Sequence, residues 1–199
     1  MKNQLLLTPA LLLVTALFGC NSASRADRSE SATPATEQPT QPSDADEPRA
    51  EAELTAAPGA QIQGKATFIQ EPGGVRVVLE VENAPPGRKG VHIHERGDCS
   101  NIEAQSMGPH FAPKLEQHAL PAEGNDHHLG DLGNIVVSDD GTGRLEIKAV
   151  DATLGPDSGT SFLGRALVVH SGEDAGSTAQ PAGDSGKPMA CGVVQKPTS

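Results

Sequence analysis

The sequence predicts an all-β protein, an antiparallel sandwich or barrel. Three observations point that way. Several short runs alternate apolar and polar residues with period two, Gly, Pro and Asp punctuate them, and no stretch sustains a helical period.

The elements follow in order. Residues 60–70 alternate roughly in twos and end at Pro72-Gly73-Gly74. Residues 75–82 (Val75-Arg76-Val77-Val78-Leu79-Glu80-Val81-Glu82) form a second strand, after which Pro85-Pro86-Gly87 turns the chain. Gly90-Val91-His92-Ile93-His94-Glu95 is a third. Residues 135–138 and 143–150 make two more, joined by Asp139-Asp140-Gly141-Thr142-Gly143 as a hairpin turn, and residues 163–170 make the last. Two long stretches outside strands remain, 98–131 and 171–190. Loops of that length in a compact domain are usually functional.

The start of the chain reads differently. Lys2 precedes an apolar run from Leu5 through Phe18, broken only by Thr8, Pro9 and Thr15. Fourteen residues is short for a membrane span and suits a secretory signal over residues 1–19. Leu17-Phe18-Gly19-Cys20 resembles the bacterial lipobox, which marks Cys20 as a lipid-modified residue and implies an exported, membrane-anchored protein of the cell envelope, in the periplasm or at the outer membrane. Residues 21–58 are Ser, Thr, Pro, Ala, Glu and Gln with Leu54 as the one large apolar residue. Such a composition cannot bury enough surface to offset chain entropy, so residues 20–58 are expected to be a disordered tether and 59–199 the domain.

Composition excludes some functions. With 199 residues, 15 basic against 26 acidic side chains leave a net charge of −11, which disfavours nucleic acid as a partner. Three Arg against eight acids put −5 in residues 20–58, and 11 basic against 18 acidic residues put −7 in 59–199. There is no Trp or Tyr, so the core must rest on aliphatics.

Seven His and three Cys carry the chemistry. His92 and His94 lie at i and i+2 of a strand and share a face. His110, His118, His127, His128 and Asp131 fall in the long loop that follows or at its end, and His170 ends the last strand. Solvated histidines would not gather on two strand ends and a loop, so the grouping points to a metal site.

Here the chain resembles the copper/zinc superoxide dismutases. The matching stretches are Gly90-Val91-His92-Ile93-His94-Glu95-Arg96-Gly97-Asp98-Cys99, Gly108-Pro109-His110-Phe111 and His128-Leu129-Gly130-Asp131-Leu132-Gly133-Asn134. Gly164-Arg165-Ala166-Leu167-Val168-Val169-His170 and Ala190-Cys191-Gly192-Val193-Val194 complete them, in the family's order. The resemblance implies a Greek-key, immunoglobulin-like sandwich or barrel with two functional loops. It implies catalytic copper on His92, His94, His110 and His170, and zinc on His110, His118, His128 and Asp131, with His110 bridging as an imidazolate. It leaves His127 as a surface residue, places Asp174 where the family links a copper ligand to a zinc ligand, and pairs Cys99 with Cys191. The implied reaction is dismutation of superoxide to O2 and hydrogen peroxide, with His110 passing a proton to the departing peroxide. The family's usual state is a homodimer.

One position departs from the pattern. Three residues before the second cysteine the family carries an arginine that guides the anion, and this chain has Pro188, with Lys187 beside it. Lysine supplies charge without the guanidinium fork, so slower turnover is expected. Pro188 is also the one feature favouring a rival reading, a non-catalytic copper-binding or copper-delivery protein of the same fold. Two other motifs fail. Gly183-Asp184-Ser185-Gly186 resembles a serine-protease nucleophile but lacks that family's histidine context, and the same loop has prolines where a P-loop needs Gly and Ser or Thr.

Overall fold

A computed structural model describes residues 47–114, 117–123, 126–176 and 184–198. Eight strands are present among them. They are β1 (Arg49–Ala56), β2 (Gln63–Glu71), β3 (Gly74–Glu82), β4 (Gly87–His94), β5 (Asp131–Val137), β6 (Gly143–Val150), β7 (Ala166–His170) and β8 (Pro188–Val193), with one 3-10 turn at Pro121–Glu123. All neighbours pair antiparallel, and the strands close a barrel in the order β1-β2-β3-β6-β5-β4-β7-β8. The chain therefore crosses over between β3 and β4 and again between β6 and β7, a Greek-key path.

The barrel interior is aliphatic, as the lack of Trp and Tyr requires. Val75, Val77, Leu79, Val91, Ile93, Leu132, Ile135, Leu167 and Val169 are all at 0–1% exposure. Phe162 seats the aromatic part, edge-on to Phe68 at 6.2 Å and to Phe111 at 6.3 Å between ring centroids. On β4 the odd residues Val91 and Ile93 enter this core, so pleating turns His92 and His94 to the outside of the barrel. On β7, Leu167 and Val169 enter it and His170 faces out.

Two strands correct the sequence reading. β1 lies inside the stretch expected to be a tether, so the sheet begins at Arg49 and not after residue 58. Ala50 and Ala52 point inward at 0% and 1% exposure while Glu51 and Glu53 point outward. Alanine contributes too little apolar area to register as a strand. The register with β2 decides instead, setting Glu53 opposite Lys65, whose Nζ lies 2.7 Å from Glu51 and 3.3 Å from Glu53. β8 occupies the end of the stretch expected to be a loop, and it starts at a proline. Pro188 pairs with His170 at an irregular register step, a position where a missing N–H is tolerated. The expected hairpin forms: Ser138 N donates to Thr142 O, and Gly141 turns the chain at a φ of 83°. Cys99 and Cys191 form a disulfide across a separation of 92 residues, with 5.7 Å between their Cα atoms. It ties the loop after β4 to β8. Residues 1–19, Cys20 and the tether up to residue 46 lie outside the described residues, and no described helix is long and apolar enough to cross a membrane.

Candidate metal centre

Backbone pairing brings four segments together on the outer face of β4. His92 and His94 come from β4, and β7 lies alongside, with Val91 opposite Val169, so His170 reaches the same face. The long loop returns to the β4 edge. Ile93 N donates to Gly130 O, Phe111 N to Ile93 O and Gly130 N to Phe111 O, which knits His110 and Asp131 against the strand. Gly130 is required for this approach, because a Cβ there would lie 2.2 Å from the Ile93 carbonyl oxygen. Two overlapping groups of ligand atoms result, His92, His94, His110 and His170 in one and His92, His110, His118 and Asp131 in the other, each within 4.8 Å of one another.

Hydrogen bonds fix which ring nitrogen faces the cluster. A carbonyl or carboxylate oxygen can only accept, so each nitrogen bonded to one carries the proton. His94 Nδ1 donates to Gly108 O at 2.6 Å, and His170 Nδ1 to Gly186 O at 3.0 Å. His92 Nε2 donates to Asp174 Oδ2 at 2.7 Å and His118 Nε2 to Asp174 Oδ1 at 2.9 Å. On His92, His94 and His170 the opposite nitrogen is then a bare lone pair. Among the described residues, the buried side-chain nitrogens without a hydrogen-bond partner are His92 Nδ1, His94 Nε2, His110 Nε2, His118 Nδ1, His128 Nδ1 and His170 Nε2. An unmet buried acceptor costs about 1–3 kcal/mol. Once His118 gives up its second proton, these six nitrogens form a set of donors for cations, with three imidazoles and a carboxylate on one side and four imidazoles on the other.

Asp131 gathers three imidazoles around one carboxylate. Its Oδ1 lies 2.8 Å from His110 Nδ1, and its Oδ2 lies 3.0 Å from His118 Nδ1 and 3.3 Å from His128 Nδ1. The last two contacts lack hydrogen-bond alignment, as two ligands of one ion would. Oδ2 also accepts from the backbone N–H of Ala119 and His128. Burial raises its pKa, but the three imidazoles around it outweigh that and hold the carboxyl far below its ordinary range.

The electrostatics divide the site. Burial, with His110 nearby, pushes His94 down to about 3, and burial pushes His170 down to about 4. Burial also holds His92 well below 6.5 against the pull of Asp174. These rings stay neutral and ready to ligate. Burial lowers His118 too, but Asp131 and Asp174 overcome it and raise the ring to about 9 without metal. Asp174 is itself fully buried and far below its usual pKa, because bonds from His118 and His92 outweigh its burial.

The structure brings together the residues that the sequence singled out: His92, His94, His110, His118, His128, His170, Asp131 and Asp174. It sets His128 differently from the rest, half-buried and touching the cluster through Asp131 and the rings of His110 and His118. His127 is not a freely solvated surface residue. It is half-buried, donates Nδ1–H to the His128 carbonyl, and lines a cleft of about 240 Å³ with Asp131 and Leu129. Lys187 is exposed on a groove of about 420 Å³ that Glu103, Gln105, Ser171 and Pro188 also line. Sequence reasoning missed the carbonyls of Gly108 and Gly186, which orient two imidazoles. It also gave no role to Asn134, whose side chain accepts from Asp174 N at 2.8 Å and donates to Asp174 O at 2.9 Å. Only glycine at these carbonyls hints at their use: at Gly108, with φ of 77°, a Cβ would strike the Arg96 guanidinium at 2.9 Å.

Comparison with known proteins agrees with this geometry. The copper/zinc superoxide dismutase family model matches residues 62–194. "Superoxide dismutase [Cu-Zn] 2" of Brassica juncea is 39% identical over 140 residues, covering 67% of this chain and 89% of that protein. The protein of the same name from Aquifex aeolicus (strain VF5) is 36% identical over 151 residues, 74% of this chain and 86% of that one. Among solved structures, the clock protein EA4 matches with a TM-score of 0.68 and 32% identity over 76% of this chain and 96% of the other.

Proposed function

The chain belongs to the copper/zinc superoxide dismutase family, and on that premise we propose that it removes superoxide in the cell envelope at a copper site joined to a zinc site through His110. The observation that carries this reading is the set of six buried, unpartnered imidazole nitrogens. Copper would be held by Nδ1 of His92 and Nε2 of His94, His110 and His170; zinc would be held by Nδ1 of His110, His118 and His128 and by Asp131. When bound, copper supplies one-electron redox chemistry and zinc a redox-inert positive charge.

The chain's own groups supply the rest. His110 presents one nitrogen to each side, so its Nε2 is the atom at which a proton can be held and passed to the departing peroxide. Without zinc, the other nitrogen of that ring bonds to Asp131 Oδ1, and zinc would take the place of that proton between the two. Gly108 and Gly186 hold His94 and His170 in the tautomers that aim Nε2 inward. Asp174 does the same for Nδ1 of His92 and His118, joining the two halves behind the ligands. With a domain net charge near −7, attraction of an anion rests on the metals' charge and on Lys187.

Export and anchoring through Cys20 belong to the same reading. The Cys99–Cys191 disulfide supports it, since such bonds persist in oxidising compartments. The sharpest test loads the purified protein with copper and zinc and measures superoxide removal with and without cyanide. Cyanide-sensitive dismutation with one copper and one zinc per chain is the expected result. Metal binding without turnover would instead favour the copper-binding reading that Pro188 suggests. Incorporation of labelled fatty acid, lost in Cys20→Ser, tests the anchor, and sedimentation of the loaded protein tests a homodimer.

A further inference from the structure

Asp174 sits in a segment, Ser171 to Gly176, that leaves the barrel after His170, and besides the bond from His92 to Asp174, three contacts among the described residues fasten it to β4 and β5. Gly90 N donates to Gly172 O at 2.8 Å. Asn134 on β5 holds the Asp174 backbone at both its N–H and its carbonyl. The third is an ion pair: Arg88 Nε on β4 lies 2.5 Å from Glu173 Oε1, with the two side chains 48% and 54% exposed. Arg88 stands four residues before His92, and Glu173 is the immediate neighbour of Asp174. The pair thus spans the strand carrying two copper-side imidazoles and the segment carrying the carboxylate behind His92 and His118.

We infer that Arg88 and Glu173 form a salt-sensitive latch that positions Asp174 and so sets how long the chain retains both its metal ions. The inference rests on the metal assignment above. Of the three fastenings, the ion pair alone joins net charges and lies in solvent, so it alone weakens when ions screen it. Its strength is modest, as exposed pairs are, which limits the effect to a factor of about two to five in the population of the opened segment. Opening would withdraw Asp174 from His92 Nε2 and His118 Nε2 together. Each ring would then lose the acceptor that fixes its tautomer, and both ions would leave more readily. Arg88 and Glu173 touch no metal-facing atom and act only through Asp174.

The test follows transfer of copper and zinc from the loaded protein to a chromophoric chelator at low salt and at about 1 M salt. Metal content of the loaded wild type is measured first. A chain that takes up no metal overturns the metal assignment, whereas a chain that holds both ions puts the latch itself to trial. At low salt, Arg88→Glu and Glu173→Arg are each expected to release both ions about two- to fivefold faster, and the exchanged pair R88E/E173R to return to the wild-type rate. High salt should bring the wild type toward the single variants. The metal-free unfolding midpoint of each single variant should stay within about 3 °C of wild type. Single variants that release at the wild-type rate, or an exchanged pair as fast as either single, would overturn the latch. So would faster release accompanied by a larger fall in the metal-free midpoint. If a charge reversal fails to fold, R88Q and E173Q with the salt response of the wild type decide on the same criteria.

Discussion

His92 donates its Nε2 proton to Asp174 across 2.7 Å, and neither side chain is exposed to solvent at all. The other oxygen of the same carboxylate accepts from His118. One buried anion therefore sets the tautomer of a ring in each half of the site. Removing it in Asp174→Ala frees both rings to turn and leaves two buried N–H groups unmet. Loss of such an outer carboxylate typically costs about 10- to 100-fold in metal affinity. That loss is expected for both ions, read by competition with a chelator. A wild-type affinity for either ion would mean that its imidazole is oriented by something else.

Stability of the metal-free protein should peak near pH 6.5. His94 at about 3 and His170 at about 4 have folded pKa values below the ordinary one, so the unfolded chain binds more protons between those values and 6.5. Their contribution is present above 6.5 and is lost as pH falls. The depressed Asp131 and Asp174 act in the same direction at still lower pH. His118, raised to about 9, works oppositely: its contribution is present below 6.5 and lost as pH rises through 9. Urea unfolding of chelator-treated protein at pH 4, 6.5 and 9 measures this. Stability that rises from pH 6.5 to 4 would contradict the burial of neutral imidazoles. Metal binding near neutral pH should also release a proton from His118.

The barrel needs β1. A chain beginning at residue 59 would leave the β2 edge unpaired along residues 64–69 and expose β8 at Cys191 and Ala190. Unpaired, flat edges recruit other chains. Such a truncation is expected to aggregate, while one beginning at residue 47 remains soluble and binds metal. Light scattering and metal stoichiometry of the two chains distinguish them; equal behaviour would show β1 to be dispensable.

That boundary also shows what the sequence made legible. The candidate ligands stood out because all seven histidines fall on two strand ends and a loop, a grouping with few explanations. β3, β4 and β6 stood out through Val, Ile and Leu at period two. β1 hid because Ala50 and Ala52 fill a narrow inner face with methyl groups, and only the register with Lys65 reveals their side of the sheet. β8 hid because Pro188, Gly192 and small residues carry no β preference of their own, and its place is fixed by β7, β1 and the disulfide. The carbonyls of Gly108 and Gly186 belong to the backbone, which a sequence does not display. The Cys99–Cys191 pairing came from likeness to a family, not from spacing.

The disulfide should matter most before metal binds. Its loop of 92 residues restricts the unfolded chain by about 4–5 kcal/mol in the chain-entropy picture. Cys191 is buried with Met107, Ile102, Ala166 and Val168, so the bond also packs the loop after β4. Reduction of the metal-free protein is expected to lower its unfolding free energy by about 2–5 kcal/mol, measured by urea titration with and without reductant. A difference under about 1 kcal/mol would place the holding of that loop in the packing and not in the bond.

On the proposed function, Lys187 stands in for the arginine that the family resemblance places where this chain has Pro188, and the rate of turnover tests this. Proline offers no charge and no donor, and here it begins β8 opposite His170. Among the described residues Lys187 is held through its backbone: its N–H donates to Ser171 Oγ and its carbonyl accepts from Ser171 N. Its exposed side chain shares a groove with Glu103, whose charge opposes an incoming anion. Lysine acts as a point charge, without the fork that orients a small anion. Its contribution should therefore be to encounter and not to positioning. Lys187→Ala is expected to lower kcat/KM for superoxide several-fold at low salt and by less at high salt, whereas Glu103→Gln should raise it. Pro188→Arg should raise it further and leave a residual gain at high salt, because a bidentate contact is not screened as a distant charge is. Rapid-mixing measurement of superoxide decay across a salt series checks all three. A near-diffusion rate unchanged in Lys187→Ala would show that the metal centre draws the anion by itself.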